Sequence, residues 1–298
     1  MKKLKSIILL SLFTVSLSFA QDITVDEILA NYFENTGGLD AWTALEGMQM
    51  TAKLNQGGME FPVEIVNLAD GRQYVSFEFQ GMSIKQGVFD GETMWSTNFQ
   101  SMKPEKASAE DSANMKLESN DFPDSFINYK EKGYTAELVG TEEIEGAETF
   151  KVKLVKEPMT IDGKEVDDVS YYYFDSESFI PILQESEIHS GPMAGQIEQV
   201  MTSDYQEVDG LYFPFSMSQG IKDGGSQPII LEEITLNPTV EDVAFAFPVI
   251  EEAPVEEGTE DEKTTKPSPK DLTPADPAPK TGDLINEEKN AGKSGGNK

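Results

Sequence analysis

The sequence of 298 residues contains no cysteine and only one histidine, His189. The absence of thiols excludes disulfide bonds, thiolate metal sites and a cysteine nucleophile. A single imidazole cannot form the histidine clusters of typical zinc sites, and a hydrolytic triad would have to use His189 itself. That residue lies at a predicted strand end, where a surface histidine is more common than a catalytic base. We therefore predict a protein that is not an enzyme, with no catalytic residues, no metal site and no cofactor.

Basic residues are also scarce. The chain has 23 Lys and Arg against 54 Asp and Glu, so its formal net charge is −31 at pH 7. A protein that binds nucleic acid needs a basic surface to neutralise phosphates, and this composition excludes nucleic acid as a partner. A surface this acidic would instead steer basic partners towards it.

Long apolar runs are absent except near the N-terminus. Three lysines in the first five residues precede an apolar run over residues 7–17, and small residues follow up to Ala20. This pattern predicts a signal peptide at residues 1–20, cleaved after Ala20. The run is too short to span a membrane, so we expect no integral membrane segment. The protein is therefore predicted to be exported.

The C-terminal residues 251–298 differ from the rest in composition. They contain no aromatic residue, hold six of the 16 prolines, and carry a net charge of −5. Such a segment cannot bury enough apolar surface to offset the entropy of ordering it. We predict a disordered, acidic, Pro- and Lys-rich tail, which leaves residues 21–250 as one folded domain.

The domain opens with the pattern of a helix. Thr24 and Glu27 have the spacing of a capping box, and apolar residues follow at helical intervals. Gly37-Gly38 supplies a stop, because glycine tolerates positive φ. Leu39 to Leu45 suggests one further helical turn.

Beyond this helix the period changes from 3.6 to 2. Apolar and polar residues alternate over Met48 to Leu54, Met59 to Ile65 and Val75 to Phe79, with turn signals such as Asp90-Gly91 between such runs. This alternation is typical of antiparallel strands with one apolar and one wet face. The strand pattern stops at Ala107 to Lys132, where we predict two helices.

The predicted class is therefore α+β. Its core is one large, curved antiparallel sheet of about ten or eleven strands, with helices at the start and in the middle.

Three segments, in this order, resemble a known family. They are DEILANYFENTGGLDAWTALEGMQMTAKL from Asp26, GVFDGETMW from Gly87, and FAFP from Phe245. The chain resembles the periplasmic outer-membrane lipoprotein-sorting and carrier superfamily, with the LolA/LolB-like fold, over Asp22 to Pro248.

The resemblance implies an incomplete β-barrel whose mid-chain helices form a lid over its mouth. It also implies a monomer that holds the acyl chains of a lipoprotein or another lipid, or an apolar ligand, on the concave face of the sheet. An envelope protein partner would then deliver or receive the cargo, in the periplasm of a Gram-negative bacterium, with secretion as the alternative destination. The candidate lining residues are Met50, Phe61, Val63, Phe77, Phe79, Ile84 and Trp95.

The alternative is a secreted or surface protein-interaction domain of the envelope-sensor type. In that case the helices and the sheet would fill the space between them, and no ligand would bind. The two functions make opposite predictions about the concave face, since only a carrier requires an internal hollow.

Overall fold

The computed structural model describes residues 23–56 and 59–248. The predicted signal peptide at residues 1–20 and the predicted tail at residues 251–298 lie outside the described residues. So do the outermost residues at both ends of the predicted domain, 21–250.

Three α-helices occur in the described part of the chain, namely α1 (Val25–Asn35), α2 (Leu39–Thr43) and α3 (Ala109–Glu118). The predicted capping box of α1 is confirmed, because the Glu27 amide donates to the Thr24 hydroxyl and the Thr24 amide donates to the Glu27 carboxylate. Short 3-10 turns cover Ser119–Asp121 and Asp242–Ala244.

Fifteen strands are found among the described residues. They are β1 (Gly47–Gln56), β2 (Met59–Leu68), β3 (Gln73–Phe79), β4 (Met82–Phe89), β5 (Met94–Thr97), β6 (Pro104–Lys106), β7 (Thr135–Ile144), β8 (Ala147–Val155), β9 (Met159–Ile161), β10 (Lys164–Val166), β11 (Val169–Asp175), β12 (Pro181–Glu187), β13 (Ile197–Val208), β14 (Leu211–Ile221) and β15 (Ser226–Leu236). All except the β9–β10 hairpin join one antiparallel sheet of 13 strands. The sheet exceeds the predicted count of about ten or eleven strands, and the strand without a predicted counterpart is β6, whose three residues are too few to show alternation.

The order of strands in the sheet is β6-β5-β4-β3-β2-β1-β15-β14-β13-β12-β11-β8-β7. Each half is thus a simple meander, and the first and last strands of the chain pair in the middle. The sheet stays open between its two edges, β6 and β7, and residues 107–134 connect those edges. The predicted fold class, an incomplete barrel with few helices, is confirmed.

The sheet has an inner face, which we define as the face that packs against α1. Buried residues from β1, such as Met48, and from β8, such as Val152, belong to one cluster with Ile28 of α1. Five strands separate β1 from β8 in the sheet order, so the sheet must curve around the helix. The opposite side is the outer face.

Of the two predicted mid-chain helices, the first forms and the second does not. Only α3 forms, and the chain from Asp124 to Gly133 consists of turns. Asn128 and Gly133 have φ of 53° and 81°, which an α-helix does not allow. The Asp124 side chain also accepts a hydrogen bond from the Phe126 amide, which favours a turn over a helix.

A second buried cluster lies on the outer face. It joins Val66, Val88 and Trp95 to Phe245, which belongs to the segment after β15. The Trp95 indole donates a hydrogen bond of 3.0 Å to the Phe245 carbonyl. The Arg72 guanidinium lies over the Phe245 ring, 4.9 Å from its centroid. This C-terminal segment therefore covers the apolar part of the outer face.

Truncating Phe245 should weaken the packing of this segment against the outer face of the sheet. Phe245 is 1% exposed, so we expect Phe245→Ala to lower the free energy of unfolding by about 3 kcal/mol, through lost burial and a cavity. Urea denaturation followed by circular dichroism measures the change. Val243→Ala is the matched control on the same segment, since Val243 is 78% exposed and its truncation should cost less than about 0.5 kcal/mol. Equal losses in the two variants would contradict this role for Phe245.

Candidate ligand-binding site

One end of the inner face is filled by the protein's own helices. The ring of Tyr32 on α1 lies 5.6 Å from Phe174 on β11, edge to face. The ring of Trp42 on α2 lies 5.0 Å from Phe213 on β14. All four side chains are buried in the same cluster, so this end is a solid core.

At the other end the inner face is open and forms an apolar pocket of about 400 Å³. The last residues of β1 and β3, the first residues of β2, the loop after β5 and the start of β15 supply its walls. The lining residues are Leu54, Phe61, Val63, Phe77, Phe79, Phe99 and Gln227. Sites for small apolar ligands typically have this size and a lining with few polar groups.

Strand register places these side chains on one face. Leu54 is opposite Phe61, and Val63 is opposite Phe77. Because side chains alternate across a strand, residues that pair in register point to the same side. The pocket is therefore a direct result of apolar residues recurring at every second position of β2 and β3.

Phe99 reaches the pocket from the loop between β5 and β6. Its ring stacks on Phe77 with centroids 6.3 Å apart and planes at 26°, yet the residue is 60% exposed. The Asn98 side chain accepts hydrogen bonds from the amides of Gln100 and Ser101, and this turn places Phe99 over β3. Phe99 thus borders the mouth of the pocket.

The structure brings four of the candidate residues together in the pocket, namely Phe61, Val63, Phe77 and Phe79. Ile84 is opposite Phe77 on the same face, but it is 1% exposed and does not line the pocket. Met50 packs against the filled end of the inner face.

Trp95 is a correction to the sequence-based set. It is opposite Val88 on β4, and both belong to the outer-face cluster. Gly87 has a φ of 57°, and the β3–β4 register shifts in this region, so alternation counted from Ile84 assigns the wrong face. The Trp95 side chain is therefore part of the outer core and is omitted from the candidate site.

The sequence-based set also missed Leu54, Phe99 and Gln227. Leu54 continues the alternation of β1 and could have been found by that signal. Phe99 lies in a loop, where no periodicity marks it. Gln227 is polar, and only its place at the start of β15 brings it to the pocket.

A polar border adjoins the pocket on the side of β14 and β13. Gln219 on β14 is the register partner of Gln227, and its side-chain amide donates a hydrogen bond of 2.7 Å to the Glu198 carboxylate on β13. These three side chains share the inner face. The open end of the inner face is thus apolar on one side and polar on the other.

A second depression, of about 450 Å³, lies between α3 and the turn before β5. It is larger, but charged residues of both signs, including Glu92, Lys106 and Lys116, line it. The Ser112 hydroxyl in this depression already has hydrogen-bond partners, because it accepts a bond from the Met94 amide and donates one to the Ser108 carbonyl. We therefore take the apolar pocket that Phe77 lines, which we call the aromatic pocket, as the candidate site.

Ion pairs attach residues 107–134, which we call the mid-chain segment, to the sheet. The Lys156 ammonium lies 2.9 Å from the Asp121 carboxylate and 2.8 Å from that of Asp168. Burial opposes the charge on Lys156, but the two carboxylates outweigh it and raise the pKa of Lys156. The middle of this segment is thus held beside the end of β8 and the start of β11.

Asp124 is a half-buried residue in the same segment, and its carboxyl points into the protein. It accepts a hydrogen bond of 2.9 Å from the Tyr32 hydroxyl and one of 2.8 Å from the Phe126 amide. Burial raises the pKa of Asp124 above its ordinary value of 3.8, and the two hydrogen bonds oppose this only in part. Protonation therefore favours the burial of Asp124, whereas the hydrogen bond from Tyr32 favours the ionised carboxylate.

The stability that Asp124 contributes should depend on pH. A raised folded-state pKa gives a contribution that is complete below the unfolded pKa and is lost as pH rises through the folded pKa. The unfolding free energy of the wild type minus that of Asp124→Asn should therefore fall as pH rises above 3.8, the ordinary pKa of the carboxyl. Denaturant titrations across that range measure it.

Tyr32→Phe supplies the companion variant. It removes a hydrogen bond that lowers the pKa of Asp124, so the fall should extend to higher pH in that background. A difference that stays constant with pH would show that Asp124 does not titrate as proposed.

Two further observations bear on the chemistry. Within residues 23–56 and 59–248, no group of three or more His, Asp or Glu side chains could hold a metal ion. Among the helices of that same part of the chain, none has the length and apolarity to cross a bilayer.

No protein-family model matches the sequence, and no curated protein matches it. The structure is similar to that of a LolA superfamily protein from Nitrosomonas europaea, with a TM-score of 0.46 and 13% identity over 75% of this chain and 98% of that one. It is also similar to a domain described as an outer membrane lipoprotein-sorting protein domain from Vibrio parahaemolyticus (TM-score 0.44, 12% identity, 74% and 94% covered). A DUF1329 family protein from Desulfovibrio piger is similar as well (TM-score 0.41, 14% identity, 74% and 97% covered). The similarity to LolA-type proteins expected from the sequence is thus found among solved structures, at the level of the fold.

Proposed function

We propose that the protein is an exported, non-enzymatic binding protein that holds the apolar chain of a lipid or lipoprotein in the pocket on the inner face. The observation that carries the proposal is the pocket itself, where four phenylalanines and two aliphatic residues surround a space that the helices leave open. Removing an apolar chain from water is favourable in proportion to the apolar area buried, and this pocket offers such a lining.

The alternative of a protein-interaction domain required a filled inner face. Helices α1 and α2 fill one end of it, but the pocket remains at the other. The pocket therefore favours the carrier over a domain without a ligand. Delivery to or from an envelope protein, and a role in outer-membrane lipoprotein sorting, are the finer parts of the same proposal.

A charge inside the lining tests the binding site. Phe77→Asp should weaken binding of Nile red, a neutral apolar dye, at least about tenfold, because an unpaired carboxylate is costly in an apolar site. Fluorescence titration of the delipidated protein measures the affinity. Intrinsic tryptophan fluorescence is a poor readout, since neither Trp42 nor Trp95 lines the pocket.

The matched control is Tyr212→Asp. Tyr212 is an aromatic residue on β14 that is 37% exposed and does not line the pocket. The control should bind the dye as the wild type does, and circular dichroism should show that both variants are folded. Equal binding by Phe77→Asp and the wild type would place the dye elsewhere and refute the assigned site.

A further inference from the structure

The lysines of the large sheet all lie on its outer face. Register and alternation give this result for each of the five, which are Lys53, Lys85, Lys106, Lys151 and Lys153. Lys53, for example, lies between Ala52 and Leu54, whose register partners Val63 and Phe61 line the pocket. Its side chain therefore points away from the pocket, and it forms an ion pair with Glu232.

Contacts on the outer face confirm this placement. The Lys85 ammonium lies 4.6 Å from the centroid of the Tyr74 ring and donates to the Ala244 carbonyl. The Lys106 ammonium lies 5.2 Å from the ring centroid of Phe247. Both lysines thus contact the residues that cover the outer face, and neither is available to a ligand in the pocket.

Among the described residues that line the pocket there is consequently no cation. Lys103, the lysine closest in sequence to Phe99, is exposed and is not among the lining residues. A negatively charged head group bound there would lose its hydration without an ion-pair partner, which is unfavourable. The net charge of −31 adds long-range repulsion against anions.

The polar border has the opposite character. Gln227, Gln219 and Glu198 follow one another across β15, β14 and β13, and about 10 Å of sheet separates the first from the last at the usual strand spacing. Only one oxygen of the Glu198 carboxylate has a hydrogen-bond partner among the described residues. The border therefore offers acceptors, and a full negative charge, to a head group that brings donors.

The size of the pocket limits the number of chains. At about 400 Å³ it lies near the lower end of the range of roughly 300–1,000 Å³ that is typical of small-ligand sites. This volume suits a single slender chain better than two or three chains side by side.

We infer that the ligand is a single-chain amphiphile whose head group carries hydrogen-bond donors and no negative charge. Its chain occupies the aromatic pocket, and its head lies against Gln227, Gln219 and Glu198. Hydroxyl and ammonium head groups meet this requirement, whereas a free carboxylate or a phosphate does not. The inference rests on the proposed function, since it specifies the ligand of the same pocket.

Three probes with the same chain length test the head-group preference. They are a monoacylglycerol, the corresponding alkylamine and the corresponding fatty acid, each used to displace Nile red from the delipidated wild type at pH 7.5. The monoacylglycerol and the amine should displace the dye at concentrations at least about tenfold lower than the fatty acid. Equal displacement by all three, or preference for the fatty acid, would overturn the inference.

Reversing the charge of the border gives an independent test. Glu198→Lys should weaken binding of the amine and strengthen binding of the fatty acid, so that the order of their affinities reverses. Glu207→Lys is the matched control, because Glu207 lies on the same strand, is exposed, and is opposite Tyr212 on the outer face. It changes the net charge equally and should leave the order unchanged. If both variants shift the order alike, the preference reflects only the overall charge and the inference fails.

The two proposals fail in different ways. If no probe displaces the dye from the wild type, or if Phe77→Asp still binds the dye and the probes normally, the pocket does not bind apolar chains and the proposed function fails. If Phe77→Asp abolishes binding of the dye but the three probes displace it equally from the wild type, the proposed function stands and only the present inference fails.

Discussion

The pairing of β1 with β15 is the constraint on which the rest of the structure depends. Residues near the two ends of the described chain meet in the centre of the sheet, with Met48 opposite Leu236 and Leu54 opposite Ile229. Because the first and last strands pair with each other inside the sheet, its two free edges are β6 and β7, which come from the middle of the chain. The opening of the sheet therefore coincides with residues 107–134, and the same chain segment that crosses the opening also packs on the inner face.

The two faces of the sheet are completed by different parts of the chain. On the outer face, the segment after β15 brings Phe245 against Trp95 and covers the apolar surface there. On the inner face, α1 and α2 cover one end of the strands but are too short to reach the other. An apolar sheet face that is left uncovered is costly in water, unless a ligand or partner removes it from solvent. The pocket beside Phe77 is the part of the inner face where this cost remains.

Charge follows the same division. The strand lysines lie on the outer face, where they contact carboxylates and aromatic rings, while the polar border of the pocket on the inner face consists of the Glu198 carboxylate and two glutamines. Half-buried ionisable groups such as Asp124 and Lys156 belong instead to the contacts that attach residues 107–134 to the sheet and to α1. Thus the groups that fix the fold and the groups that would contact a head group are separate.

The sequence by itself determined the elements that depend on local patterns. The capping box at Thr24, the alternation of β2 and β3, and hence four of the pocket residues, follow from periodicity and turn chemistry. Three features came from local backbone irregularities that interrupt the regular period of strand or helix, and only the structure revealed them. The bulge near Gly87 reversed the face of Trp95, the positive φ of Asn128 replaced a helix with turns, and the loop at Asn98 placed Phe99 over the pocket. The presence of the pocket was also decided by the tertiary structure, because it depends on how far α1 reaches along the sheet. No local pattern encodes the curvature of that sheet.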